Sequence, residues 1–165
     1  LATEIINSFE KKYEEKWLNM MRDKLGLFGM DEKDKFLILD LLTWMHQKKI
    51  DYTNIFCHLM NENIKEDKDY EDEDFKNWKK RWNERLKTNN NTPEKSLKLM
   101  RSANPIVIPR NHKVEEALEA AEKNNFKPIT RLVEILKDPY SQQKNIINYQ
   151  IPSNSEKKYQ TFCGT

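Results

Sequence analysis

Few side chains in this sequence are of types and spacings that do chemistry. Arg110, in the run Pro109-Arg110-Asn111-His112, offers a planar, permanently charged fork for a carboxylate or a phosphate. The plainer reading of the same run is a helix start, with Asn111 as cap and Arg110 tying down the loop. Cys163, third from the chain end, is a thiol in a segment with little to bury it, so it is the candidate for redox exchange with a partner thiol. His46, His58 and His112 are far apart and form no paired helical ligand set. Neighbouring Cys57 and His58 would point about 100° apart on a helix, so no metal site is expected. Phe75, Trp78 and Trp82, flanked by Lys79, Lys80, Arg81 and Arg85, have the composition of a base-stacking platform. Their three- and four-residue steps fit the buried stripe of an amphipathic helix better. The acidic stretch from Glu62 to Asp74 lacks the glycine turn and alternating oxygens of a calcium loop and reads as a solvated loop.

The sequence shows no pattern for binding a nucleotide. It has no Gly-rich phosphate loop, no Walker pattern and no Asp-Phe-Gly. Stand-alone nucleotidyl transfer needs phosphate electrostatics and a metal held by Asp or Asn, and these are absent as a set. No catalytic, cofactor-binding or metal residue is therefore assigned.

The elements that must position these residues are helices. Hydrophobic residues make up 37% of the 165 and charged residues 34%; only 3 are Gly and strand-like alternation is rare. One domain with its own core fits this length. The expected fold is all-α, an irregular bundle of about six to seven helices over 1–140, followed by an extended or mobile tail over 141–165. The first helix spans about 3–25, with Ile6, Phe9, Tyr13, Trp17, Met20 and Met21 on one face and Gly26 as its stop. Asp31 is the expected cap of a second helix. That helix is apolar on most sides, from Phe36 to Met45, and should be the most buried. Asp51 caps a short third helix, and the Phe75 stripe forms a fourth. Thr92-Pro93 starts a fifth, which must end before Asn104-Pro105. Residues 105–110 are extended. A sixth helix carries Val114, Ala117, Leu118 and Ala121 inward. A seventh, over about 128–137, turns Ile129, Leu132, Val133 and Leu136 inward.

The net charge of +2 does not call for a nucleic-acid partner, and no apolar run approaches the roughly 18 residues that span a bilayer. Two cysteines make no disulfide framework, and a cytoplasmic location is the default. The chain begins at Leu1 rather than Met, which fits a piece of a longer chain, though processing would explain it too.

The run Asn104-Pro105-Ile106-Val107-Ile108-Pro109-Arg110-Asn111-His112, the Ala-rich helix after it, Leu136-Lys137-Asp138-Pro139-Tyr140 and the closing Phe162-Cys163-Gly164-Thr165 together resemble the C-terminal end of the selenoprotein O family. Lys24-Leu25-Gly26-Leu27 and Asp51-Tyr52-Thr53 extend the resemblance toward the N-terminus. The resemblance implies a kinase-like (pseudokinase) protein adenylyltransferase, which moves AMP from ATP onto protein Ser, Thr or Tyr with Mg²⁺ or Mn²⁺. In that reaction a hydroxyl attacks the α-phosphate. The family's catalytic residues lie upstream, and no position here matches them. This chain would then be the non-catalytic helical C-terminal part. Its partners would be the upstream kinase-like domain and, through the parent, protein substrates. Arg110, Asn111 and His112 would be candidates for inter-domain contact. Some relatives carry selenocysteine near the position of Cys163, which implies a redox role for that residue. An isolated chain of this kind should expose an apolar docking face, through which it could dimerise. The alternative is a stand-alone helical protein-interaction module without catalytic activity.

Overall fold

The computed structural model describes residues 2–62 and 68–153. It is all-helical there: α1 (Ala2–Lys24), α2 (Asp34–Lys48), α3 (Tyr52–Leu59), a 3₁₀ turn (Lys68–Glu71), α4 (Glu73–Lys87), α5 (Pro93–Ala103), α6 (Asn111–Glu122), α7 (Lys127–Leu136) and α8 (Ile147–Gln150). The helix signals read from the sequence mostly act where expected. Gly26 adopts φ +68° and closes α1 with the paired bonds Leu27 N–H to Arg22 O and Gly26 N–H to Asp23 O. A side chain at Gly26 would also meet Ser96 O at 2.9 Å, so α5 crosses α1 where only glycine fits. Asp51 caps α3 through Asn54 N–H, and Thr92 caps α5 with Pro93 in its first turn.

Two caps differ. α2 starts three residues after Asp31, because Asp31 caps the preceding turn through Lys33 N–H. α6 has Arg110 at its cap position without a side-chain bond, and Asn111 is its first residue. The expected exposed loop is shorter than 62–74: Tyr70 in the 3₁₀ turn is buried and packs 4.1 Å from the His58 ring. Residues 63–67 lie outside the described ones.

The core lies where α2, α3 and α4 meet the second half of α1, α5 and the stretch 104–107. Trp44, Phe75, Trp78 and Trp82 form a continuous stack with centroids 4.5–5.9 Å apart. Each indole of α4 also donates to a main-chain carbonyl, Trp78 to Leu37 O and Trp82 to Leu25 O. The Phe75 stripe is therefore core, as its period indicated. α2 is buried on one side only: Ile38 and Leu41 are fully enclosed, while Phe36 is 67% exposed and Leu39 40%. The charged neighbours of Phe36 and Leu39 explain this, since Lys35 pairs with Glu14 and Asp40 with Arg81 at the surface.

The C-terminal segment departs from an extended tail within its described part. Ile146 and Gln150 are buried and α8 forms between them. The Gln150 side chain donates to Ile106 O, and the main-chain carbonyl of Gln150 accepts from the Asn54 side chain. These bonds join residues far apart in sequence, which no local period reveals. In α6 and α7, Ala117 and Leu132 face inward as expected. Leu118 and Val133 are each 50% exposed, and Ile135 takes an inner place instead.

Candidate functional site

The stretch 104–110, richest in family-like residues, is the knot of the molecule. Asn104 is 1% exposed and donates to Lys24 O and Met100 O, closing α5 and fixing the end of α1. The Lys24 ammonium returns the contact, donating to Ala103 O and Asn104 Oδ1 while lying 4.9 Å from the Phe56 ring centroid. It thus neutralises the carbonyl end of α5 and adds a cation–π contact. Burial holds its pKa below the usual lysine value. Ile106 N–H donates to Pro139 O, so the Asn-Pro and Asp-Pro-Tyr motifs are joined directly.

Arg110 is 9% exposed and its fork is already filled. It makes a bidentate pair with Asp51 at 2.8 and 2.9 Å and reaches Asn54 Oδ1 at 3.3 Å. Burial alone would raise the Asp51 pKa; the hydrogen bonds from Arg110 and from the Asn54 amide outweigh it and hold the carboxyl below its ordinary value. Arg110 therefore anchors the loop, the plainer of its two readings. Asn111 is exposed and His112 half-buried on the first turn of α6. Sequence reasoning missed Asp51 and Asn54 as partners of Arg110, although Asp51 was marked as a cap. A cap signal is local, and the pairing spans 59 residues.

Asp34 makes a second buried ionic joint. It is fully enclosed, accepts from Arg22 Nε and Arg85 Nε at 2.7 Å each, and takes the Asp31 amide at 3.1 Å. Burial opposes its charge, but the two arginines prevail and its pKa is lowered. Arg85 also reaches Phe28 O and Asn89, which in turn binds Gly26 O. Asp34 thus ties α1 to α4 across the start of α2.

Cys57 is fully buried, with its thiol near Pro105 O at 3.9 Å. Burial, with the charges of Glu62 and Asp51, pushes the thiol up to about 12, which leaves almost no nucleophilic thiolate at neutral pH. Cys163 lies outside the described residues. Among the described residues no three His, Cys, Asp or Glu side chains gather as a metal site. Asp34 is the enclosed carboxylate and is committed to two arginines, and the part-buried Asp51 is committed to Arg110, so neither is free to hold a metal. An open recess of about 800 Å³ between α4 and α5 has Trp82, Leu97 and Met100 in its lining, and its one carboxylate, Glu84, is paired with Lys87. Among the described residues, no helix is long and apolar enough to cross a membrane.

The surface is the other notable part of the site. In α1 no side chain described before Met21 is buried, and Ile6, Phe9 and Tyr13 are 71, 68 and 62% exposed.

The chain belongs to the SelO family, described as protein adenylyltransferase SelO, whose model matches residues 2–137. Proteins named protein nucleotidyltransferase YdiU are similar over the whole chain or nearly so. That of Pelagibacter ubique is 52% identical over 100% of this chain, that of Alcanivorax borkumensis 46% over 99%, and that of Nitrosococcus oceani 44% over 100%. The chain spans 34% of the length of each of these relatives, at their C-terminal end.

Proposed function

We propose that this chain is the helical C-terminal part of a protein adenylyltransferase that moves AMP from ATP to hydroxyl side chains of other proteins. The observation that carries the reading is similarity along the entire chain to proteins named nucleotidyltransferases, of which it forms only the last third. ATP and Mg²⁺ or Mn²⁺ would bind in the preceding kinase-like part. The chain's own contribution is structural: its helices form a rigid platform, closed by the Arg110–Asp51 and Asp34 joints, for that part to rest on. Asn111 and His112, on the open first turn of α6, remain candidates for contact with it. A cytoplasmic location suits a protein whose buried cysteine is free.

The resemblance also gives Cys163 a redox role, a disulfide that gates the parent's activity. Cys57 is a poor partner, since it is enclosed and its thiol stays protonated. The partner thiol would belong to the preceding part. A Cys163→Ser parent whose activity still responds to oxidant and reductant as the wild type does would remove this role.

Intact-mass analysis after incubation with ATP and Mg²⁺ or Mn²⁺ tests the main reading. AMP should appear on the full-length parent or its protein substrates, and none with this chain alone. A parent that never transfers AMP would leave a helical interaction module instead.

A further inference from the structure

α1 has 23 residues, a rod of about 35 Å, and only its last turns join the core. Ile6, Phe9 and Tyr13 recur at three- and four-residue steps on one face, and the rings of Phe9 and Tyr13 stack at 6.1 Å. No described residue covers them. Residues 10–16 hold three glutamates and three lysines, so the face has no net charge to draw it to anionic lipid or to nucleic acid.

We propose that the first half of α1 docks, through Ile6, Phe9 and Tyr13, into an apolar groove on the part of the parent protein that precedes this chain. The proposal rests on the reading that the chain is the C-terminal part of a longer protein, and it names the surface through which the two parts meet. The relatives extend for about twice this chain's length ahead of the matched region, and α1 is the element at that junction. Area decides against a second copy as occupant. With aromatic side chains of roughly 150–250 Å² each, the face offers on the order of 500 Å². A stable dimer needs about 800 Å² per partner. A tethered neighbour needs less, because the linkage supplies an effective concentration in the millimolar range. An apolar helix face laid into a groove is a common recognition mode with this spacing of anchors.

Hydrogen exchange on the full-length parent tests this. Amides of residues 6–16 should exchange at least tenfold faster in a Phe9→Asp, Tyr13→Asp parent than in the wild type, with α4 unchanged in both. Equal rates at 6–16 in both proteins would overturn the proposal, as would wild-type protection that disappears on dilution, the mark of a second copy. A photo-crosslinking p-benzoylphenylalanine in place of Phe9 gives a readout that does not depend on a disruptive variant. An adduct within one polypeptide, mapped ahead of this chain, supports the proposal; an adduct between copies, or none, refutes it. Intact-mass analysis of AMP transfer on the same samples separates the two readings. Transfer without protection or adduct removes the docking surface alone. An adduct without transfer supports the docking surface and removes the adenylyltransferase reading.

Discussion

α1 and α4 are written in the same code and meet opposite fates. Ile6, Phe9 and Tyr13 in α1 and Phe75, Trp78 and Trp82 in α4 follow the same helical spacing, with lysines between them. The α4 stripe is at most 5% exposed, and its two indoles donate to the main-chain carbonyls of Leu37 in α2 and of Leu25, the residue after α1. The α1 stripe is more than 60% exposed at each of its three positions. The difference shows that an apolar period announces a face and does not say what covers it. In α4 the cover is in this chain. For α1 we propose a cover in the part that precedes it.

The comparison can be broken most readily at α4. Trp78→Ala removes a fully packed indole together with its hydrogen bond to the Leu37 carbonyl. Unfolding by urea should show a loss of about 3–5 kcal/mol. A loss below about 1 kcal/mol would mean that the stack is not the core. Asp34→Ala strands Arg22 and Arg85 inside the joint between α1 and α4, with an expected cost of about 3–5 kcal/mol by the same measurement. Arg110→Lys replaces a bidentate fork by a point charge and should cost roughly 1–2 kcal/mol. Acid should act on the same joints. Asp34 and Asp51 both have lowered pKa values in the folded chain, so their contribution is complete above the unfolded aspartate value of about 3.9. It is lost as pH falls through the lower folded values. A urea midpoint that is flat from pH 7 to 5 and drops below about 4 is expected; a drop already near pH 6 would contradict it. The smallest effect sharpens the comparison from the other side. Phe9→Ala in this chain should change stability by no more than about 0.5 kcal/mol, since an exposed ring is exchanged for a better helix former. A loss like that of Trp78→Ala would show that the α1 face is covered within the chain.

Much of the fold was legible. Gly26, Asp51, Thr92-Pro93 and Asn104-Pro105 each mark a helix end through backbone chemistry confined to a few residues, and each acts where it was read. Asp31 and Asn111 do not cap α2 and α6: the cap positions fall to Lys33 and Arg110, neither of which makes a side-chain cap bond. The environment of Asp34 and of Arg110, set from far along the chain, decided the outcome. The candidate site was only half legible. The sequence marked the Pro109-to-His112 run and marked Asp51, yet gave no sign that Arg110 and Asp51 were partners.

By itself, the sequence determined the helical class, most helix boundaries, the burial of the α4 aromatics and the family, because these depend on periods, caps and short motifs. Tertiary structure alone decided that Asp34 gathers two arginines, that Gln150 is drawn back into the core, that Cys57 is inert, and that Phe9 is open while Phe75 is closed. Those outcomes depend on which distant surface meets which, and burial, charge pairing and pKa follow from that meeting rather than from the residues' own types.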